Sequence, residues 1–158
     1  MIDRSNLRPR FWELGLSRLT HEEWEALCDG CGKCCLNKLE DEDSGEVVFT
    51  RVGCRLLDAE TCQCSNYPQR KDYVPECIVL TPMSLPKVAY FMPETCAYRR
   101  LHEGKPLPRW HPLLTGDPES THRALVSVRG WVLSEVTVPE DDWEDHVIDE
   151  PIGSADAL

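Results

Sequence analysis

Cys28-Asp29-Gly30-Cys31-Gly32-Lys33-Cys34-Cys35 is the stretch on which the reading of this chain turns. Two thiolates separated by two residues can chelate one ion, because a tight turn brings both sulfurs to the same side and glycine lets backbone N–H groups point at them. Cys31-Gly32-Lys33-Cys34 has that form, and Lys33 would offset part of the thiolate charge. Core packing places no premium on four cysteines in eight residues, so the spacing points to ligation.

One such pair fills half of a tetrahedral zinc site, so further ligands are expected from Cys54, Cys62, Cys64 or Cys77 across the fold. Structural zinc in small fingers binds with an apparent ~10–16 kcal/mol, more than the net stability of most domains. The triplet Cys28, Cys31, Cys34 also has the spacing with which bacterial ferredoxins wrap an iron-sulfur cluster. There, however, three residues and a Cys-Pro follow, whereas here Cys35 comes at once and Leu36 after it. Adjacent residues send their side chains in different directions, so Cys34 and Cys35 are not expected on one mononuclear ion. Two centres, one polynuclear centre, or a buried thiol at Cys35 all fit. Cys96, alone in its neighbourhood, reads most simply as a small buried hydrophobe and stands behind the other eight as a ligand candidate.

Upstream of the cluster, Thr20 and Glu23 form a capping-box pair, and Trp24, Leu27 and Cys28 share a face, which predicts a short helix from Thr20 to Cys28. Gly30 and Gly32 break it and put Cys31 and Cys34 in a turn. Downstream, residues 40–45 read as an acidic loop, and Val47–Phe49 and Cys54–Leu57 as the strands of a small hairpin. Pro75, Pro82, Pro86 and Pro93 then forbid long regular elements. A second helix is expected over Thr95–His102, ended by Gly104. Trp110 to Pro118 reads as an ordered loop packed on the core, and residues 124–138 as a strand or two around Gly130. These readings give an α+β class: a small, irregular, loop-rich domain organised around a cysteine-bound metal centre. Its expected limits are an N-terminal arm over residues 1–19, the metal-binding domain over 20–138, and an acidic tail over 139–158.

Composition bounds the partners. The chain has 158 residues, enough for one domain, and 17 basic against 28 acidic side chains, for a formal charge of -11. Its basic residues are scattered, which argues against a phosphate-backbone partner and so against nucleic acid. No apolar run has the length of a secretory core or a membrane span, so no membrane partner and a cytoplasmic location are expected. In that compartment clustered thiols stay reduced and serve as metal ligands sooner than as disulfide partners, and an odd count of nine cannot pair completely. A cysteine nucleophile would need a base, and none of His21, His102, His111, His122 and His146 stands in a nucleophile motif. His111, between Trp110 and Pro112, is the histidine to watch as a substitute ligand, although such a residue is more often hydrogen-bonded within its loop. Phosphate-binding glycine loops, paired catalytic carboxylates and zinc-protease helices are absent from the sequence.

The run Cys28 to Cys35, the later Cys62-Gln-Cys-Ser-Asn-Tyr-Pro-Gln-Arg70 with Cys77, and Glu94-Thr-Cys-Ala-Tyr-Arg99 leading to Pro108-Arg-Trp-His-Pro112 and Thr115-Gly-Asp117 resemble the YcgN branch of the YkgJ-like cysteine cluster proteins. The resemblance runs up to about Pro139. It implies a bacterial cytosolic protein with a zinc- or iron-chelating domain. A flagellin lysine methylase carries a similar cluster, which implies that the module can serve an enzyme, yet this chain has no cofactor signature to supply such chemistry. Two function classes follow from the residues. In the first, zinc or iron is structural or sensed and the loops contact a protein partner. In the second, an iron or iron-sulfur centre with an open position makes a redox or transfer enzyme. A thiol sensor that trades metal for disulfides fits the same cysteines.

Overall fold

The capping box at Thr20 is formed. Thr20 Oγ1 accepts from the Glu23 N–H at 3.2 Å while Glu23 Oε1 accepts from the Thr20 N–H at 2.9 Å, and together they start α1 (His21–Ala26). The computed structural model describes residues 4–148, so the first residues of the expected N-terminal arm and the last ten of the acidic tail lie outside the described residues. After α1 the chain passes through Gly30 and Gly32, both in the left-handed region at φ 78°, into a 3₁₀ turn over Lys33–Cys35. That is the turn expected from the two glycines.

From Leu36 the chain becomes a sheet. Strand β1 (Leu36–Glu40) pairs antiparallel with β2 (Val47–Gly53), and the acidic loop between them makes the connection. This corrects the expected hairpin. Val47–Phe49 belongs to β2, but its partner is β1, and Cys54–Leu57 is a turn that meets the chain again through one bridge, Leu57 to Cys64. The strand signal of Leu36–Glu40 is short and interrupted by Asn37 and Lys38. It nonetheless forms, because Leu36 is buried against Cys62 and Val128 and Asn37 rejoins the ladder. The Asn37 side chain donates to Val52 O at 3.1 Å, and the main-chain carbonyl of Asn37 accepts from Thr50 Oγ1 at 2.7 Å, where the register shifts.

Short helices follow. They are α2 (Arg70–Tyr73), α3 (Leu85–Val88), α4 (Ala97–His102), α5 (Pro112–Thr115) and α6 (Ser120–Arg123). Helix α4 lies within the expected Thr95–His102 stretch, while α5 turns part of the expected Trp110 loop into one helical turn. The expected strands between residues 124 and 138 shrink to β3 (Leu133–Ser134), parallel to the end of β2. The buried Val126 and Val128 lie outside any strand, and Val128 is spent on the cysteine turn, its N–H on Cys31 O and its side chain against Gly32. Beyond Pro139, a 3₁₀ stretch leads to β4 (Val147–Ile148), which pairs antiparallel with Phe49 and Thr50. Strand β2 is thus central, with β1 on one edge and the short β3 and β4 on the other. The α+β, loop-rich class is the observed one.

Apolar residues gather in two clusters. The larger joins Phe11 of the N-terminal arm to Trp24 and Leu27 of the α1 region, Leu85 of α3, and Ala97 and Tyr98 of α4. The smaller holds Leu36, Cys62 and Val128, with Leu57, Trp131 and Ile148 packed against it. The cysteine turn is the link between them, running from Leu27 of the first to Leu36 of the second. Between Cys54 and Ser84, by contrast, Cys62 and Val74 are the buried residues and the rest is exposed or half-exposed.

Candidate metal centre

Four residues from the last third of the chain hold the turn from outside. Trp110 Nε1 donates to Asp29 Oδ2 at 3.0 Å, Thr121 Oγ1 donates to Asp29 O at 2.9 Å, and Val128 N–H donates to Cys31 O at 2.9 Å. His111 is fully buried. Its Nε2 donates to Leu27 O at 2.7 Å while its Nδ1 accepts from Leu113 N–H at 3.0 Å. Both ring nitrogens are therefore engaged, and His111 positions the turn as a neutral imidazole instead of offering a lone pair to an ion. Gly32 is enclosed so tightly that a Cβ there would come within 2.9 Å of Val128 Cγ2 and 3.1 Å of the Cys62 carbonyl oxygen.

Inside this frame the sulfurs receive backbone donors. Lys33 N–H donates to Cys31 Sγ at 3.4 Å, and the Gly30 N–H draws the Cys28 thiol pKa downward. An amide two residues after a cysteine, aimed at its sulfur, stabilises the thiolate and is what the glycines of the turn make possible. Burial works against it. It pushes the Cys28 thiol well up, although the residue itself is exposed, and Cys34, Asp29 and Cys96 add to the rise. Cys31 is likewise raised by burial, then by Asp29, Cys34 and Cys28. Cys96, at the start of α4, is pushed up to about 12 by burial, with Cys34 and Asp29 adding to it and the first-turn amides of Arg99 and Tyr98 opposing. Cys96 thus adds to the rise of Cys28, and Cys34 to that of Cys96.

Cys34 behaves differently. Its pKa falls to about 7, first because the neighbouring Cys35 S–H donates to it, against burial, and then because Lys38 stands close. Lys38 is a cation that the sequence reading passed over. Its Nζ donates to Cys34 O at 3.2 Å and Leu36 O at 2.9 Å, and sits 5.0 Å from the Phe49 ring centre. A Lys three residues after the last cysteine of the turn, in the strand that follows it, is the signal that could have found it. Lys33, expected to offset part of the thiolate charge, is 1% exposed.

Cys35 and Cys54 are raised by a second set of thiols. Cys35 is raised by its bond to Cys34, by burial, and then by Cys34, Cys54 and Cys64, while Cys54 is raised by burial and by Glu135, Cys77 and Cys64. Cys62 belongs to neither group. It is buried against Leu36 and Val128, and Ser127 and the amides of Arg129 and Val128 face its sulfur.

Among the described residues, no group of three or more His, Cys, Asp or Glu side chains is placed to hold an ion. The donor chemistry nonetheless fits zinc or iron. The groups are thiols alone, sulfur-directed amides are in place, and Asp29, the nearby carboxylate, is already committed to Cys31 N–H at 3.1 Å and to Trp110. No described helix is long and apolar enough to cross a membrane.

Comparison with known proteins agrees with this donor set. Residues 27–97 match the CxxCxxCC family, whose description is "putative zinc- or iron-chelating domain". The UPF0260 protein RCAP_rcc02083 of Rhodobacter capsulatus is 64% identical over 146 residues, covering 92% of this chain and 98% of that protein. UPF0260 proteins of Marinobacter nauticus and Azotobacter vinelandii are 57% and 56% identical over 139 residues, each alignment covering 87% of this chain and 93% of the relative. No solved structure matches significantly. With relatives this similar along nearly their whole length, the chain belongs to the UPF0260 family, and its residues 27–97 match the CxxCxxCC domain.

Proposed function

We propose that the protein holds a zinc or iron ion through the thiolates of Cys28, Cys31, Cys34 and Cys96, and that this ion is structural. The observation that carries the reading is the cysteine turn itself, where the Lys33 N–H meets Cys31 Sγ at 3.4 Å, within the stretch that matches the CxxCxxCC domain. Cys28 and Cys31 follow α1, Cys34 precedes β1 and Cys96 opens α4, so one ion there would tie both apolar clusters together. Four thiolates and no spare position make a closed tetrahedral site, the form structural zinc takes. Metal binding by such a site is itself folding energy.

The test is metal analysis with visible absorption on untagged protein purified without oxygen. Zinc or iron bound in stoichiometric amount, and lost together with cooperative unfolding in Cys31→Ser and Cys96→Ser, is the expected result. A metal-free wild-type protein that unfolds cooperatively and takes up no added ion would sink the reading. Iron accompanied by acid-labile sulfide would replace the mononuclear ion with a cluster and favour electron transfer.

A further inference from the structure

We propose that the cleft between α1 and the 67–82 segment binds a free apolar α-amino acid as its zwitterion, with Glu25 taking the ammonium, Arg70 the carboxylate, and the wall of Trp24 and Leu80 the side chain. The site uses none of the cysteines and does not rest on their ligation of an ion.

The cleft has a volume of about 580 Å³, within the range of small-ligand sites, and Leu19, Trp24, Val79, Leu80 and Pro82 give it apolar walls. Both walls are fixed by bonds within the protein. On the helix side, Trp24 Nε1 donates to Leu80 O at 3.1 Å and the indole packs on the Tyr98 ring at 4.7 Å, so its one polar group is spent and it lines the cleft as apolar surface. On the other side, Thr81 N–H donates to Ser84 Oγ at 2.8 Å, Ser84 N–H returns a bond to Thr81 Oγ1 at 3.0 Å, and Ser84 Oγ donates to Val79 O at 2.8 Å. These three bonds hold the turn that carries Val79 to Pro82.

Two opposite charges meet in the cleft around one ring. Tyr67 Oη donates to Glu25 Oε2 at 3.2 Å, while the Arg70 guanidinium lies 3.9 Å from the centre of the Tyr67 ring and its Nη1 donates to Tyr67 O at 2.7 Å. All three side chains line the cleft. Among the described residues, Glu25 has no cation and Arg70 no carboxylate at ion-pair distance, so one oxygen of the first and most N–H groups of the second are open to a ligand.

A carboxylate met by a neutral phenol, and a guanidinium met by a carbonyl and a ring, are each still short of a counter-charge. A ligand with a single charge would satisfy one of them and meet the like charge of the other. A zwitterion satisfies both. Because Glu25 and Arg70 both touch Tyr67, the ammonium and carboxylate borne on one α-carbon span them, and the distant ends of a longer peptide do not. The walls then choose the side chain: an apolar one is buried against Leu19, Trp24, Val79 and Leu80, and a charged one finds no partner there.

Two measurements on the full chain test this. The first needs no variant. Wild-type protein is titrated calorimetrically with leucine and with phenylalanine, each beside its two relatives that keep one charge, isoamylamine and isocaproate for the first, phenethylamine and hydrocinnamate for the second. The amino acids should bind, and every one-charge relative should bind about tenfold more weakly or worse, as the loss of a charge-assisted bond requires. The second repeats the amino-acid titrations on Glu25→Gln and Arg70→Gln, with folding checked by circular dichroism, and each variant should lose affinity by about tenfold or more. Absence of binding by both amino acids, a one-charge relative that binds as tightly as its parent, or undiminished affinity in either folded variant would each overturn the site. Metal content per chain is read separately, so failure here leaves the cysteine-bound ion standing.

Discussion

The indole N–H of Trp110 donates to the carboxylate of Asp29 at 3.0 Å, across more than half the chain, and the other oxygen of that carboxylate holds the Cys31 amide. Asp29 is thus the hinge pin of the cysteine turn. Asp29→Ala leaves two buried donors unpaired, at about 1–3 kcal/mol each. Urea unfolding should show that loss, and Trp110→Phe in the same background should recover part of it. A double-mutant cycle with no coupling between the two positions would contradict this role for the carboxylate.

Stability should fall in acid through Glu23. Its carboxylate is fully buried and accepts from Arg8 Nε at 3.0 Å, Arg8 Nη2 at 2.7 Å, and the Arg8 and Thr20 amides. The Arg8 bond, opposed by burial and helped by the Thr20 and Arg8 amides, lowers its pKa from 4.5 to about 2. A folded pKa below the unfolded one means that the contribution is complete above about 4.5 and is lost as pH falls toward about 2. Glu23→Gln should be less stable than wild type near neutrality, and the gap between them should narrow between about pH 5 and about pH 3. A gap that stays constant over that window would refute the linkage.

Gly32→Ala should destabilise strongly. The left-handed backbone costs an L-residue about 1–2 kcal/mol, and the 2.9 Å approach to Val128 adds an overpacking term of about 1–3 kcal/mol. Val128→Ala, which removes the nearer obstacle, should return part of the overpacking share and none of the backbone share. Chemical denaturation of the single and double variants separates the two.

His111→Gln should lower the melting temperature without changing the number of ions bound per folded chain. Both imidazole nitrogens are spent on Leu27 O and Leu113 N–H, so the residue shapes the turn and coordinates nothing. A variant that folds but binds fewer ions would make His111 a ligand after all.

The sequence was most legible where one local signal was decisive. Thr20 and Glu23 announce α1, and Gly30 and Gly32 announce the turn, because capping and positive φ depend on a few neighbouring residues. Strand β1 was hidden, since Leu36 and Leu39 owe their conformation to Val128, Cys62 and a central strand that only the fold supplies. The surroundings of Cys96 were hidden for a related reason. A solitary cysteine carries no spacing, and its company with Cys28 and Cys34 arises from the packing of α4 on α1. Asp29 stood in plain view within the motif, but the Trp110 partner that gives it meaning lies too far along the chain to be matched by pattern.

The bond from Val128 N–H to Cys31 O has a consequence for the order in which the protein is made. Synthesis runs from the N-terminus, so Cys28, Cys31, Cys34 and Cys35 leave the ribosome long before Trp110, Thr121 and Val128 exist to hold them. During that interval the thiols belong to a floppy, unbraced peptide, open to the wrong ion or to an oxidant. The motif that looks self-sufficient on paper is, in the growing chain, the part that waits longest for its scaffold.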